Sequence, residues 1–253
     1  MAWLIVPDRD FQRALVLVGS GSNGKSTFLR CVENYLGREN ISNVGLQQLS
    51  DRFASVALIG KLANISTDLP NTRVQDTSLF KAITGGDSIG AEYKFGKIFR
   101  FRPFTKLVFS ANELPESDDT TNGYYRRYFI VPFDNVFENN PGAGRQLDEM
   151  LADDNELSGL LNLALDVLPD VRRRGLSITP SVETATEEYQ VSTDPVQSGS
   201  TTKPRLKTMP PSSARSFLEH SKIDGLPHDP EGIRYKVEAL SARREGCAED
   251  GGR

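Results

Sequence analysis

Nine consecutive residues constrain this chain more than any others: Gly19-Ser20-Gly21-Ser22-Asn23-Gly24-Lys25-Ser26-Thr27. They follow a short, wholly apolar run, Ala14-Leu-Val-Leu-Val18. They open a segment with apolar residues at Phe28, Leu29, Val32 and Leu36, which stops at Gly37. The run reads as a buried strand, the spacing as a helix, and the glycine as its C-terminal stop. The stretch between them fits G-x-x-x-x-G-K-[ST] in the strand-to-helix context that this pattern needs. Gly19, Gly21 and Gly24 let the backbone turn its N–H groups inward, toward phosphate oxygens. The N-terminus of the following helix adds partial positive charge. Lys25 supplies a point charge for the β- and γ-phosphates, and Ser26 a hydroxyl for Mg²⁺. The competing reading, a chance glycine-rich turn, has the complete pattern and both flanking elements against it. The loop alone leaves kinases, GTPases and motor ATPases open.

Further along, strands alternate with helices. Residues 61–66, 106–110 and 128–131 read as strands. Residues 77–83 read as a short helix closed by Gly85-Gly86, and residues 156–168 as an amphipathic helix carrying Leu157, Leu160, Leu161, Ala164, Leu165 and Leu168. This alternation predicts an α/β fold with a mostly parallel sheet flanked by helices. A length of 253 residues with 38% hydrophobic residues suits one large domain with a tail. Composition shifts near residue 190, giving a domain over 1–190 and a tail over 191–253. The tail holds six of the fourteen prolines and a Ser/Thr-rich run at 198–202, and reads as poorly ordered.

Charge and rare residues exclude several classes. A net charge of −4 and a pI near 5.4 exclude a globally basic coat, so contact with nucleic acid requires a local patch. Two cysteines, Cys31 and Cys247, exclude a disulfide framework. The two histidines, His220 and His228, exclude a histidine-based triad or metal site in the first 200 residues. No apolar stretch is long enough for a membrane span, and the start lacks the basic region of a signal peptide. The expected compartment is a reducing cytoplasm.

Other residues could face the nucleotide. Asp68, just after the second strand, is the candidate acid for the Mg²⁺ shell. The alternative is a turn or cap aspartate before Pro70. The next position, where many motor ATPases carry a second acid, is Leu69, so the general base stays open. Asn112, in Ser110-Ala-Asn-Glu-Leu-Pro115, ends the third strand in an amide suited to orienting an attacking water; it also reads as a turn residue. Arg126 and Arg127 precede the fourth strand. One of them, Arg127 by a slight margin, is a candidate arginine finger reaching a neighbouring subunit's nucleotide. The alternative is a solvated or DNA-facing pair. Residues 92–106 hold five basic residues, Lys94, Lys97, Arg100, Arg102 and Lys106, against the single acid Glu92. Tyr93, Phe95, Phe99, Phe101 and Phe104 are interleaved, and Gly96 suits a hairpin turn. Basic groups attract phosphates and aromatics stack on bases. The alternative is an amphipathic hairpin with Phe99 and Phe101 turned to the core.

In this order, the phosphate loop, Asp68, Thr84-Gly-Gly-Asp87 with Lys94, Ser110-Ala-Asn-Glu-Leu-Pro115 and Arg126-Arg127 resemble the superfamily 3 helicases. The resemblance is to the helicase part of the primase–helicases of phages, archaeal viruses and plasmids, and covers roughly residues 7–196. It implies an AAA+-like P-loop ATPase core with a β-hairpin insertion. It implies a ring, usually a hexamer, that encircles single-stranded DNA and acts on forked DNA during replication. ATP and Mg²⁺ would be the cofactors, and the compartment a prokaryotic host cell carrying the mobile element. Carried over, residues 19–27 would bind ATP, Ser26 and Asp68 would serve the metal, and Asn112 would be the sensor. Arg126 or Arg127 would act in trans, and residues 84–94 would lead to a channel hairpin whose Lys94, Lys97, Arg100 and Arg102 meet DNA.

The sequence also departs from that family. Its members carry a primase or other domain and a helical segment before the phosphate-loop strand, whereas this sequence begins about a dozen residues ahead of it. The family continues past residue 196 into an ordered module, which this tail does not resemble; a divergent end and a shifted reading frame both account for that. Two other readings stand beside the helicase: a P-loop kinase, for which no acceptor site or arginine-rich lid is visible, and a protein that binds ATP and DNA without unwinding.

Overall fold

The computed structural model describes residues 1–137 and 147–193. The proposed tail therefore lies outside the described residues, apart from its first three. The frame is a five-stranded sheet of β1 (Ala14–Val18), β2 (Ile41–Ser42), β3 (Ala63–Ser66), β6 (Lys106–Ala111) and β7 (Tyr128–Pro132), in the order β2-β3-β6-β1-β7. Every pairing is parallel. Parallel sheets need both faces covered, and their strands read as continuous apolar runs. All six residues of β6 are buried, which is why the runs at 14–18 and 106–110 were legible as strands.

Side chains alternate across the sheet. Val16, Val18, Leu107 and Phe109 enter one core together with Leu58, Phe80, Tyr124 and Tyr128. Leu17, Ile65 and Val108 enter the other. That second core is closed by α1 (Lys25–Leu36), through Leu29, Val32 and Leu36, and by the N-terminal segment, whose buried Trp3 meets Phe11 edge-on. Each such fully buried aliphatic side chain contributes about 1.5–3 kcal/mol. Val32 is 0% exposed, so Val32→Asp would detach α1 and with it the loop it anchors.

On the first face lie α2 (Ser78–Gly85), α3 (Asn122–Tyr125) and α5 (Pro180–Thr193). α2 stops at Gly86, whose φ of 75° satisfies the left-handed cap. α5 is held by Tyr189, which packs edge-on against Tyr125 and Tyr128 and donates to the Pro115 carbonyl at 2.8 Å. The two-residue strand β2 has no periodicity of its own. The fully buried Asn64 of β3 fixes it, accepting from Ser42 Oγ (2.9 Å) and Val44 N–H (2.8 Å) and donating to the Val44 carbonyl (2.8 Å).

Strands β4 (Ile89–Glu92) and β5 (Ile98–Phe101) form the expected hairpin, antiparallel and separate from the main sheet. Gly96 lies in its turn, as expected, and its N–H donates to the Tyr93 carbonyl at 2.7 Å. Phe95, not Gly96, takes the left-handed conformation, at φ 66°. A Cβ at Gly96 would crowd the Tyr93 carbonyl oxygen at 3.1 Å.

Helix α4 (Asp154–Arg174) is longer than expected at both ends. Asp153 caps it by accepting from the N–H groups of Asn155 and Glu156, and Arg172, Arg173 and Arg174 complement its C-terminal dipole. Its leucine spacing translated into burial in part: Leu157, Leu160 and Leu168 are half-buried. Ala164 is its one buried residue, and Leu161, Leu163, Leu165 and Val167 are exposed. Periodicity sets which side chains share a face; a partner element decides whether that face is covered. No helix among the described residues is long and apolar enough to cross a membrane.

Candidate functional site

Because β3, β6 and β1 are parallel neighbours, the segments leaving them meet at one edge of the sheet. The loop after β1 carries residues 19–27, the loop after β3 carries Asp68, and the loop after β6 carries Asn112. They line a cleft of about 270 Å³ formed by residues 21–27 with Thr67, Asp68, Ser110, Ala111 and Asn112. This is the placement in which open α/β sheets bind ligands, beyond the C-terminal ends of the strands.

Within the loop, Gly21 (φ 70°), Ser22 (φ 51°) and Gly24 (φ 87°) adopt left-handed backbone. Gly19 works differently from the turn expected of it. Its φ is unexceptional, but a Cβ would fall 2.3 Å from the Phe133 carbonyl oxygen and 2.2 Å from Asn23 Nδ2. Asn23 is buried at 4% exposure and donates to that carbonyl at 2.9 Å. Phe137 N–H donates to the Ser22 carbonyl at 2.8 Å. The chain leaving β7 thus braces the loop from behind, a role invisible in a pattern that leaves position 23 unspecified. Ser20 and Ser26 are exposed and Thr27 half-buried.

Lys25 is 6% exposed. Its Nζ donates to the Gly19 carbonyl, to Asn23 Oδ1 at 3.1 Å and to Asn112 Oδ1 at 3.4 Å. Burial pushes its pKa down, and the Asp68 carboxylate opposes that. Helix α1 opens with no side-chain cap and no acid in its first turn. Its leading amides and the lysine therefore present positive potential with no counter-charge in the helix's first turn. Asp68 and Asn112 are both exposed to the cleft, whereas Leu69 is buried at 3% exposure. Among the described residues no group of three or more His, Cys, Asp or Glu is placed to hold a metal ion.

The two arginines lie elsewhere. Arg127 immediately precedes β7, and its carbonyl accepts from Ala14 at the start of β1. Both arginines therefore sit at the opposite edge of the sheet from the cleft, about 16 Å away along a five-residue strand. Neither reaches Lys25 within one chain. Arg127 is engaged internally, its Nε donating to Thr84 Oγ1 at 2.9 Å and its Nη1 to the Gly123 carbonyl. Burial lowers its pKa, with Arg126 adding repulsion. Arg126 is exposed and touches Gln12 Oε1 at 3.5 Å. The geometry thus favours Arg126 over Arg127 as the side chain offered outward. A second cleft, about 360 Å³, lies near that edge among Asp10, Phe11, Gln12, Arg13, Phe129, Gly175, Leu176 and Ile178. It holds none of residues 19–27, so the smaller cleft is the one where the glycine-rich loop, Asp68 and Asn112 meet.

On the hairpin, Lys94, Lys97, Arg100 and Arg102 are all exposed. Lys94 Nζ lies 5.3 Å from the centroid of the Phe95 ring, and Arg100 Nη2 donates to the Ser88 carbonyl at 3.1 Å. Phe95 is 95% exposed and Ile98 73%. Phe99 stacks on Tyr93 at 5.5 Å, and Phe101 packs on the main core. One strand thus does both things weighed in the sequence, with Phe101 anchoring the base while the tip stands free. Arg52 ties down the turn end of β4 by two hydrogen bonds to Glu92, at 3.0 and 2.9 Å, just below the exposed turn. Lys106 leaves the basic set. It is buried, bonded to the Val6 (2.7 Å) and Asp8 (2.5 Å) carbonyls, and ties down the N-terminal segment.

A family of unknown function, DUF5906, matches residues 17–127, spanning the loop, Asp68, the hairpin, Asn112 and both arginines. The Acanthamoeba polyphaga mimivirus protein named "Putative helicase L207/L206" is 28% identical over 205 residues, covering 72% of this chain and 21% of that protein. The chain therefore spans about a fifth of that relative's length. Among solved structures, the apo A form of the NrS-1 C-terminal region aligns with a TM-score of 0.52 at 16% identity, covering 71% of this chain and 42% of that one. At that identity the likeness speaks for the fold, an α/β core with a parallel sheet, flanking helices and an inserted hairpin.

Proposed function

We propose that this chain is the ATP-hydrolysing core of a DNA helicase of the superfamily 3 kind, acting as one subunit of a ring, usually a hexamer, on single-stranded or forked DNA. The observation that carries the reading is the convergence of Lys25, Asp68 and Asn112 from three adjacent parallel strands at the open N-terminus of α1. The similarity to a viral protein named as a helicase supports it.

The residues present suit a magnesium nucleotide. The left-handed loop backbone and uncapped helix start suit phosphate oxygens. Ser26 and Asp68 offer only oxygen donors, and few of them, as suits a small hard cation that keeps waters and phosphate oxygens as its other ligands. Bound Mg²⁺ would neutralise charge developing on the phosphates. Lys25 gives up its internal carbonyl and amide partners to meet phosphate oxygens. Asn112, beside it, orients the attacking water and registers the terminal phosphate. Arg126 of one copy reaches the cleft of the next and stabilises charge in the transition state. The exposed basic and aromatic hairpin tip contacts the unpaired strand. Leu69 occupies the place of a second acid, so the water's proton leaves by another acceptor.

The test is ATP hydrolysis by the whole chain, with and without an oligo-dT strand. Hydrolysis that rises with the strand and vanishes in Lys25→Ala is expected. Hydrolysis indifferent to DNA, with phosphate passed to a small acceptor, would instead establish a kinase. Strand displacement on a fork separates a helicase from a protein that binds ATP and DNA without unwinding.

A further inference from the structure

The loops that carry Asp68 and Asn112 do not end at the cleft. They run away from it side by side, zipped by Leu69 N–H to the Ser110 carbonyl (2.8 Å), Val74 N–H to the Glu116 carbonyl (2.8 Å) and Asp118 N–H to the Val74 carbonyl (3.2 Å). Asn71 Nδ2 donates to Glu113 Oε2 across the strip at 3.1 Å. At the far end stands Asp119, its side chain 11% exposed. It accepts from Thr77 Oγ1 (2.6 Å) and Lys81 Nζ (2.7 Å) on the start of α2, and from Thr121 N–H (3.0 Å) and Oγ1 (2.6 Å) before α3. Burial alone would raise its pKa, but these hydrogen bonds win and hold the carboxyl well below the usual carboxylate range. α2 then runs through Thr84, which Arg127 grips, to Gly86 and into β4 of the hairpin.

We propose that Asp119, paired with Lys81, is a positioning residue that couples the nucleotide cleft to the DNA-contacting hairpin. A zipped pair of loops moves as one strip. An eight-residue helix, about 12 Å long, moves as one rod. Asp119 is the joint between them. Charge-assisted bonds out of bulk water make that joint stiff, which a fully exposed ion pair would not be. A displacement of Asp68 and Asn112 on nucleotide binding or hydrolysis is thereby passed to α2 and the hairpin. The same α2 carries Thr84, so the arginine edge feels it as well. This inference rests on the helicase reading.

The experiment compares wild type with Asp119→Asn, Lys81→Met and Lys81→Arg in the whole chain. The readouts are basal ATP hydrolysis, hydrolysis with oligo-dT, and oligo-dT affinity with and without a non-hydrolysable ATP analogue. Asp119→Asn and Lys81→Met should keep basal hydrolysis and nucleotide-free DNA affinity within about two-fold. They should lose about five-fold or more of the DNA stimulation and of the nucleotide's effect on DNA affinity. Lys81→Arg should restore both. If Asp119→Asn does not fold, Lys81→Met carries the test, because it removes the half-exposed partner and leaves the threonine bonds. Full stimulation in Lys81→Met overturns the proposal. So does a loss of basal and stimulated rates in equal proportion, which marks a purely structural role. A wild-type chain that hydrolyses no ATP overturns the helicase reading first, before any variant is compared.

Discussion

Replacing Gly19 by alanine should damage the glycine-rich loop, proposed above to bind a triphosphate, more than replacing Gly21, although only Gly21 of the two has backbone that disfavours a side chain. At Gly21 φ is 70° and nothing lies within 4 Å of the added methyl. The penalty is the left-handed conformation alone, about 1–2 kcal/mol, or roughly 5–30-fold in triphosphate affinity. At Gly19 the methyl would sit 2.3 Å from the Phe133 carbonyl oxygen and 2.2 Å from Asn23 Nδ2. Those two atoms are bonded to each other at 2.9 Å, and they cannot both stay. Separating them strands the buried Asn23 amide, which costs about 1–3 kcal/mol. Shifting Phe133, whose ring packs edge-on against Phe28, adds an overpacking strain of about 1–3 kcal/mol. The sum, about 2–6 kcal/mol, predicts more than about 30-fold weaker binding and a fall in melting temperature larger than that of Gly21→Ala, about 4 °C or more. A fluorescent ATP analogue titrated into each variant, with melting followed in parallel, measures both. The reasoning is refuted if Gly19→Ala binds and melts like wild type, or if Gly21→Ala is the worse of the two on both counts.

Phe95→Gly should have effects of opposite sign. Removing a fully exposed side chain from left-handed backbone should leave the melting temperature unchanged or slightly raised, while oligo-dT binding weakens by about 1–3 kcal/mol as stacking is lost; unchanged binding would count against the tip as a DNA contact. Asn64→Leu should cost about 3–5 kcal/mol in a urea titration, because the Val44 amide and carbonyl and the Ser42 hydroxyl all lose their partner. Asp119 and Asp76 both have folded-state pKa values below their ordinary ones. The stability they lend is complete above about pH 4 and drains away as pH falls through the lowered values. Asp119→Asn should therefore flatten the dependence of melting temperature on pH between about 5 and 2, and an unchanged slope would refute the assignment.

The parts legible in the sequence were those whose physics is local. The run 14–18 and the helix after Lys25 are bounded by glycines, and β1 lies where the apolar run does. Asp68 and Asn112 were readable because each closes an apolar run. What escaped is what other segments decide. β2 exists because Asn64 continues its ladder, and nothing in Ile41-Ser42 announces that. Asp119 looks like one of a pair of surface acids until Thr77, Lys81 and Thr121 fold around it. Gly96 lies in the turn expected of it, but that Phe95 beside it takes the left-handed backbone could not be read from its residue type. Of the expected apolar face of α4, Ala164 is buried and Leu157, Leu160 and Leu168 half-buried, while Leu161 and Leu165 stay exposed, since no spacing rule supplies the surface that would cover them.

All the strands of the main sheet point the same way, so the slab has a head and a tail. The lysine end and the arginine end lie at opposite ends of the strands, so on the proposed reading a solitary copy would own two unfinished halves of a catalytic centre. Polar bricks of this sort stack front to back, closing on themselves or running on as filaments. Turnover per molecule should then climb with protein concentration. Two dead preparations, one lacking Lys25 and the other lacking Arg126, should regain part of their activity when mixed, because some seams in the mixture inherit an intact side from each.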